Sequence, residues 1–178
     1  VRRPIAELAA KGQVIEIAEK IGNFERLAGI VEADLATLDP DKIPHDWRDS
    51  MVTGWLEFGF ADAQKQVVSL VGELAVTLDA VCQRCLEPFR LSLATGLRLL
   101  PTTVEQGVSA GTDFEPWELE DERVCPAEIV EEVLIMAMPL SAMHENSAAC
   151  KGYEPADEEA QQTTRPFAAL KAQLDQDK

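Results

Sequence analysis

The stretch "VVSLVGELAVTLDAVCQRCLEPFRLSLATGLRLL", Val67 to Leu100, alternates apolar and polar residues along most of its length. Alternate positions from Val68 to Cys82 are mostly apolar, and the positions between them include Ser69, Glu73 and other polar residues. The alternation resumes after "QRCLEP". Successive side chains of a strand point to opposite faces of its sheet, so this pattern is typical of two long, half-buried strands. The sequence therefore predicts a long central hairpin whose turn carries two cysteines.

Shorter patterns on either side of the hairpin predict the remaining elements. Alternation in "GQVIEIAE" and in "VTGWLEFGF" indicates two earlier strands, and a short later strand is predicted near Trp117. The segment "FERLAGIVEADL" has the apolar spacing of a helix, for which Asn23 is a suitable N-cap. A second helix is predicted to start at Pro126 and to end before Pro139, and a last short helix is predicted after Thr164.

Together these elements predict an α+β fold. We expect an antiparallel sheet around the long central hairpin, either open or barrel-like, covered by a few helices. One domain over residues 1–178 accounts for all of the elements. Within it, acidic stretches near 101–115 and 150–163 have low hydrophobicity and many turn residues, so we expect mobile loops there.

The charge of the chain is strongly negative and unevenly distributed. The chain has 32 acidic and 16 basic residues, which gives a net charge of −16. Residues 101–160 contain 15 acidic residues and two basic ones. Nucleic-acid binding relies on Lys and Arg to neutralise phosphates, so this charge opposes long-range attraction to RNA or DNA. It favours a basic partner, or it serves only to keep the protein soluble.

The apolar and cysteine content indicates a cytoplasmic protein. No apolar run approaches the roughly 20 residues that span a bilayer, and "VRRPIAELAAKGQ" at the N-terminus lacks the apolar core of an export signal. The four cysteines are too few and too unevenly spaced for a disulfide scaffold. We therefore expect no membrane association, and either reduced thiols or a metal site.

The Cys-Gln-Arg-Cys turn could supply half of a zinc site. Structural zinc takes four tetrahedral ligands, commonly from Cys and His, and a tight turn presents two thiolates three residues apart. Of the remaining Cys and His residues, the pair in "HENSAAC" follows the helix that should pack on the sheet, which favours it over His45 and Cys125. The predicted zinc ligands are Cys82, Cys85, His144 and Cys150. The alternative without a metal is a set of reduced, partly buried thiols.

Two other chemistries fit the sequence less well. A redox Cys-x-x-Cys pair usually places its first thiol at a helix N-terminus, whereas strand-like sequence lies on both sides of this one. A hydrolytic triad has only His45 and His144 to draw on, and no phosphate-binding glycine loop is present. We therefore predict that the protein is not an enzyme.

Three arginines near the hairpin are candidate contacts for RNA or another partner, namely Arg84, Arg90 and Arg98. They would form a local basic site within an acidic protein. Arg84, which lies between the two cysteines, could equally neutralise zinc-bound thiolates.

Three segments resemble the YceD family, also called the large ribosomal RNA subunit accumulation proteins. The first is "CQRCLEPF" after a long alternating strand, and the second is the acidic helix "EIVEEVLIMAMPLSAMHE". The third is "RPFAALKAQL", similar to the closing segment of the family. Some relatives have a cysteine-rich segment after the helix, whereas this chain keeps "CKG", has His144 in place of a first cysteine, and replaces the later cysteines with "YEPADEE".

The resemblance implies a non-enzymatic role in making or stabilising large-subunit ribosomal RNA. It leaves the partner open between a basic large-subunit ribosomal protein and precursor RNA, and the charge of the chain favours the protein. The departure from the cysteine-rich relatives leaves one possible four-ligand zinc site with no spare ligand, and the alternative is that part of the ligand set has been lost. The competing hypothesis is a metal- or thiol-responsive regulator that uses the Cys-x-x-Cys motif.

Overall fold

The computed structural model describes residues 2–102, 113–119 and 121–150 of the chain. The strands are β1 (Arg3–Pro4), β2 (Val14–Lys20), β3 (Met51–Phe60), β4 (Val68–Val81), β5 (Pro88–Thr102), β6 (Glu115–Glu118) and β7 (Arg123–Val124). The α-helices are α1 (Ile5–Ala10), α2 (Glu25–Leu35) and α3 (Pro126–Ala137). Single 3₁₀ turns lie at Ile21–Asn23, Pro40–Lys42, Trp47–Asp49 and Ser147–Ala149. The predicted α+β class is confirmed.

Five of the strands form one sheet in the order β2-β3-β4-β5-β6. The central hairpin is confirmed, because β4 and β5 pair antiparallel from Leu70 opposite Leu99 to Val81 opposite Pro88. On one side β3 and then β2 extend the sheet antiparallel. On the other side β6 is the exception and runs parallel to β5. Within the described ranges β2 and β6 each pair with one neighbour, so the sheet is open and is not a closed barrel.

The helices cover one face of this sheet and enclose the core against it. Helix α1 packs on β3, α2 packs on β4, and α3 packs on β5. Alternate residues of β4 point into this layer, so that Leu70, Leu74 and Leu78 are at most 1% exposed. Burial of one such side chain contributes about 2 kcal/mol to stability. A slip of one residue would turn all of them to solvent, so the alternation fixes the register of the hairpin.

The start of α2 differs from its predicted form. The N-cap position is Phe24, with no side-chain cap of its own, and Asn23 instead donates its amide to Glu19 Oε2 over 2.6 Å. The N-cap predicted at Asn23 is therefore wrong. The backbone N–H groups of Arg26 and Leu27 are bound by the Glu131 carboxylate of α3, 2.6 and 3.0 Å away. A tertiary contact has taken the place of a local cap.

A two-stranded ladder joins the N-terminus to the start of α3. Arg3 of β1 lies opposite Val124 of β7, and Pro4 lies opposite Arg123. Neither of these two-residue strands nor the six-residue α1 was predicted. Segments this short complete fewer than two periods of a strand or helix pattern, so their sequences carry no repeated signal.

Several predictions fall partly or wholly outside the described residues. The acidic loop near 101–115 lies there in large part, and so do the loop near 150–163 beyond Cys150 and the helix predicted after Thr164. Helix α3, which begins at Pro126, and the short strand at Trp117 are confirmed. No helix in the described part of the chain combines the length and the apolar composition that crossing a bilayer requires.

Candidate metal centre

The turn between β4 and β5 holds the two cysteines of the Cys-x-x-Cys motif. Cys82 N–H donates to Glu87 O over 3.0 Å, and Leu86 N–H donates to Cys82 O over 2.8 Å, which closes the turn. Leu86 has a φ of +58°, a left-handed backbone conformation that reverses the chain. Cys82 lies one residue beyond β4, continues the inward-facing positions of the strand and is fully buried. The strand places Cys82 and the turn places Cys85, so that both sulfur atoms belong to the same cluster of side chains.

The segment after α3 supplies the second half of the site. Ala142 O accepts the Gln83 N–H over 2.8 Å, so this segment lies directly against the hairpin turn. The Asn146 side chain accepts the backbone N–H of Ala148 over 2.9 Å and begins the 3₁₀ turn that leads to Cys150. Cys150 is 5% exposed and points back toward the hairpin.

Four ligand atoms converge there, one each from Cys82, Cys85, His144 and Cys150, and all of them lie within 4.8 Å of one another. The Sγ atoms of Cys82 and Cys150 are 3.9 Å apart. His144 Nδ1 lies 3.6 Å from Cys85 Sγ and 3.5 Å from Cys150 Sγ. The ligand set predicted from the sequence is thus brought together in space, while His45 and Cys125 lie outside the cluster. This arrangement could hold a metal ion.

The surroundings of the cluster favour a thiolate at Cys82. Burial opposes ionisation, but hydrogen bonds from the backbone of Cys85, His144 and Arg84 outweigh it and lower the pKa of the Cys82 thiol to about 5. For Cys150, burial and the neighbouring Cys85 and Cys82 raise the pKa of the thiol. A buried thiolate beside further thiols is the electrostatic setting that a divalent cation relieves.

Two more side chains surround the ligands. The Arg84 guanidinium places Nη1 3.8 Å from Cys150 Sγ and Nη2 3.8 Å from Met143 Sδ. The Phe89 ring lies 4.8 Å from the His144 ring, centroid to centroid. One cation and one aromatic ring therefore flank a cluster of three sulfur atoms and one imidazole.

The turn is anchored by residues that the sequence did not single out. Asp34, near the end of α2, accepts the Val81 N–H over 2.8 Å. Lys42 Nζ pairs with Glu87 Oε1 over 2.6 Å. Asp34 lies 47 residues before Val81 in sequence, and Lys42 lies 45 residues before Glu87. No local spacing could have indicated them, because the fold alone brings them to the hairpin.

The three arginines predicted as partner contacts do not form one patch. Arg84 lies at the cluster, and Arg90 pairs across the hairpin with the buried Asp79 over 3.4 Å. Arg98 stacks over the Phe114 ring, 4.9 Å from its centroid. Eight residues of strand separate Arg98 from Arg90, a distance of about 26 Å. Only Arg84 and Arg90 share the hairpin end of the sheet.

Comparison with known proteins gives matches to one family. A family model described as "Large ribosomal RNA subunit accumulation protein YceD" matches residues 70–174. A protein of the same name from Haemophilus influenzae is 33% identical over 129 residues, which cover 68% of this chain and 72% of the relative. No solved structure matches the chain.

Proposed function

Because the chain belongs to the YceD family of large ribosomal RNA subunit accumulation proteins, we propose that it promotes the accumulation of large-subunit ribosomal RNA during assembly of the large subunit. The family match over residues 70–174 carries this proposal, since it includes the central hairpin, the candidate metal centre and α3. The chain acts in this role by binding a partner and not by catalysis. Its sequence contains no phosphate-binding glycine loop, in keeping with that role.

The proposed partner is a basic large-subunit ribosomal protein. The net charge of −16 supports this choice, because an anionic surface attracts and orients a cationic partner. Six exposed acidic side chains lie close in sequence around β6, β7 and the start of α3, and we call them the acidic segment. They are Asp113, Glu115, Glu118, Asp121, Glu122 and Glu128. Such a surface would shield the positive charge of a ribosomal protein before it docks on RNA.

Charge reversal tests this partner. The variant Glu115→Lys/Glu118→Lys changes the acidic segment, and Glu16→Lys/Glu73→Lys makes the same change of net charge at exposed positions of β2 and β4. Each purified protein is crosslinked to immature large subunits at low and at high salt. We expect the first variant to lose crosslinks to basic ribosomal proteins while the second keeps them, and wild-type crosslinking to fall as salt screens the charges.

Two results would contradict the ribosomal-protein partner. One is crosslinking confined to RNA near Arg84 and Arg90, which would assign the hairpin to RNA binding despite the charge of the chain. The other is an equal loss of crosslinks to basic ribosomal proteins in both double variants. Such a result would mean that binding depends on the net charge of the chain and not on the acidic segment.

We also propose that the cluster of Cys82, Cys85, His144 and Cys150 binds zinc. Tetrahedral zinc with Zn–S bonds of about 2.3 Å requires sulfur atoms about 3.8 Å apart. The 3.9 Å between the Cys82 and Cys150 sulfur atoms supports this, as do the sulfur-to-nitrogen distances of 3.5 and 3.6 Å. When bound, zinc would crosslink the hairpin turn to the segment after α3. The role is structural, because all four tetrahedral positions are taken by side chains.

Metal analysis of the purified protein tests the zinc site. We expect one zinc per chain in the wild type and in Cys125→Ser, since Cys125 lies outside the cluster, and almost none in Cys82→Ser. Cobalt substitution should give the intense absorption of tetrahedral thiolate ligation in the first two proteins. A wild type that binds no zinc after metal-supplemented expression would contradict the site, as would loss of zinc in Cys125→Ser.

A further inference from the structure

A largely apolar groove lies between α3 and the β5–β6 edge of the sheet. Its volume is about 580 Å³, and its apolar lining includes Leu97, Leu99, Trp117, Val133 and Met136. Met136 is 76% exposed, although α3 otherwise turns its apolar residues toward the sheet. An apolar groove of this size on a helix-covered sheet is well suited to bind a short amphipathic segment.

The charges at the rim of the groove constrain what can occupy it. Of the described residues, Asp113, Glu115 and Glu132 line it together with one basic residue, Arg98. Glu132 pairs with Arg26, and Arg98 stacks on Phe114 and stays positively charged. The two remaining carboxylates, Asp113 and Glu115, still outnumber Arg98, so the rim is acidic on balance. An occupant should therefore present an apolar stripe flanked by basic residues.

We propose that residues 165–174 of the same chain, "RPFAALKAQL", bind in this groove. The segment places Phe167, Leu170 and Leu174 at the three- and four-residue spacing of one helix face. Its charged residues are Arg165 and Lys171, opposite in sign to the rim. The family match ends at residue 174, the last residue of this apolar stripe. The apolar stripe and the basic residues each match one property of the groove.

The chain is long enough to reach the groove. Cys150 lies at the hairpin turn, and Leu97 lies nine residues along β5 from Pro88, a distance of about 30 Å. Seventeen residues separate Cys150 from Phe167 and can span about 55 Å when extended. The segment can therefore enter the groove of its own chain.

Limited proteolysis tests the interaction through a cleavage site that lies 35 residues beyond Met136 in sequence, so that the substitution does not change the sequence that trypsin recognises. Trypsin cleavage after Lys171 releases residues 172–178, and the released peptide is measured by mass spectrometry over time. Met136→Glu places a charge in the groove. Met51→Glu is the matched control, because Met51 is 44% exposed and does not line the groove. We expect Met136→Glu to raise the cleavage rate roughly tenfold, since cleavage tracks the population of the released segment, and Met51→Glu to leave it unchanged.

A second variant changes the segment and leaves the described core intact. Phe167→Asp should raise the cleavage rate as much as Met136→Glu, and the double variant should raise it no further, because either change already releases the segment. Cleavage of Met136→Glu and Phe167→Asp at the wild-type rate would overturn the proposal. Wild-type protection that grows with protein concentration would also overturn it, since the groove would then be filled by a second copy of the chain.

Discussion

Glu131 of α3 accepts the backbone N–H of Leu27 over 3.0 Å, across 104 residues of sequence. The same oxygen accepts the N–H of Arg26 over 2.6 Å, so one carboxylate satisfies two of the N–H groups that the start of a helix leaves unbonded. Its negative charge also lies at the positive end of the α2 dipole. Glu131 is 8% exposed, which makes this contact a buried joint between the two helices.

Replacing Glu131 should destabilise the fold far more than replacing its neighbour. Glu131→Ala removes the acceptor for two backbone donors, and we expect it to lower the free energy of unfolding by about 2 kcal/mol. Glu132→Ala removes only an exposed ion pair with Arg26 and should cost about 0.5 kcal/mol or less. Urea denaturation of the two variants measures the difference. An equal loss of unfolding free energy in the two variants would mean that the Glu131 carboxylate contributes no more to stability than an exposed ion pair does.

Gly54 is expected to tolerate no side chain. Its φ is +151°, and a Cβ there would lie 2.0 Å from Glu73 O on the paired strand. We expect Gly54→Ala to cost about 3 kcal/mol or to prevent folding, because the backbone of the sheet would have to move. Gly96→Ala is the control, since its nearest new contact is an ordinary 3.8 Å. Soluble expression and thermal unfolding distinguish them, and similar melting temperatures would contradict the expected clash.

The left-handed backbone of Leu86 in the cysteine turn should favour glycine over alanine at this position. Leu86 is 66% exposed and has a φ of +58°, so it bears backbone strain with little burial in return. We expect Leu86→Gly to be more stable than Leu86→Ala by about 1 kcal/mol, because only glycine adopts this conformation without strain. Denaturation of both variants, with equal metal content confirmed first, gives the comparison. A more stable alanine variant would show that the turn relaxes without strain.

Asp79 should make the stability depend on pH in the reverse of the usual sense for a carboxylate. Burial raises the pKa of Asp79, and the attraction of Arg90 only partly offsets this. The folded protein therefore holds the proton of Asp79 more tightly than the unfolded chain does. The contribution of Asp79 to stability falls as the pH rises from the ordinary carboxyl pKa, about 3.9, through the higher value of the folded state.

Asp79→Asn removes this dependence, because an amide does not ionise. We expect the free energy of unfolding of the variant, relative to wild type, to increase as the pH rises from about 3.5 to about 7. Asp39→Asn makes the same chemical change at an exposed position and is the control. A difference between Asp79→Asn and wild type that stays constant over this range would contradict the prediction.

The central hairpin could be predicted from the sequence because the alternation that indicates its strands extends over many residues. The 14 residues of β4 repeat the alternation of apolar and polar positions many times, so apolar residues at polar positions, such as Val71 and Ala75, do not hide it. The parallel direction of β6 could not be read in this way. Its four residues include a proline, and alternation is the same for either direction of pairing.

The candidate metal centre was predictable in its ligands but not in its supports. Cys82, Cys85, His144 and Cys150 belong to the residue types that soft cations bind, and few other such residues compete with them in this chain. Asp34 and Lys42 carry no comparable chemical signal. Their contacts with Val81 and Glu87 exist only once α2 and the following loop have packed beside the hairpin. Glu131 was missed for the same reason, since its partners lie on another helix.

The order in which the ribosome synthesises this chain separates the two halves of the cysteine cluster in time. Cys150 is 68 residues beyond Cys82, and at about 5–20 residues per second that interval lasts about 3–14 seconds. Strands β2 to β5 are complete before α3 has been made, so the hairpin can form while its first two thiols still lack His144 and Cys150. Closure of the four-residue cluster therefore has to wait until α3 and the segment after it have been synthesised. By then the five strands of the main sheet and α3 have all been synthesised.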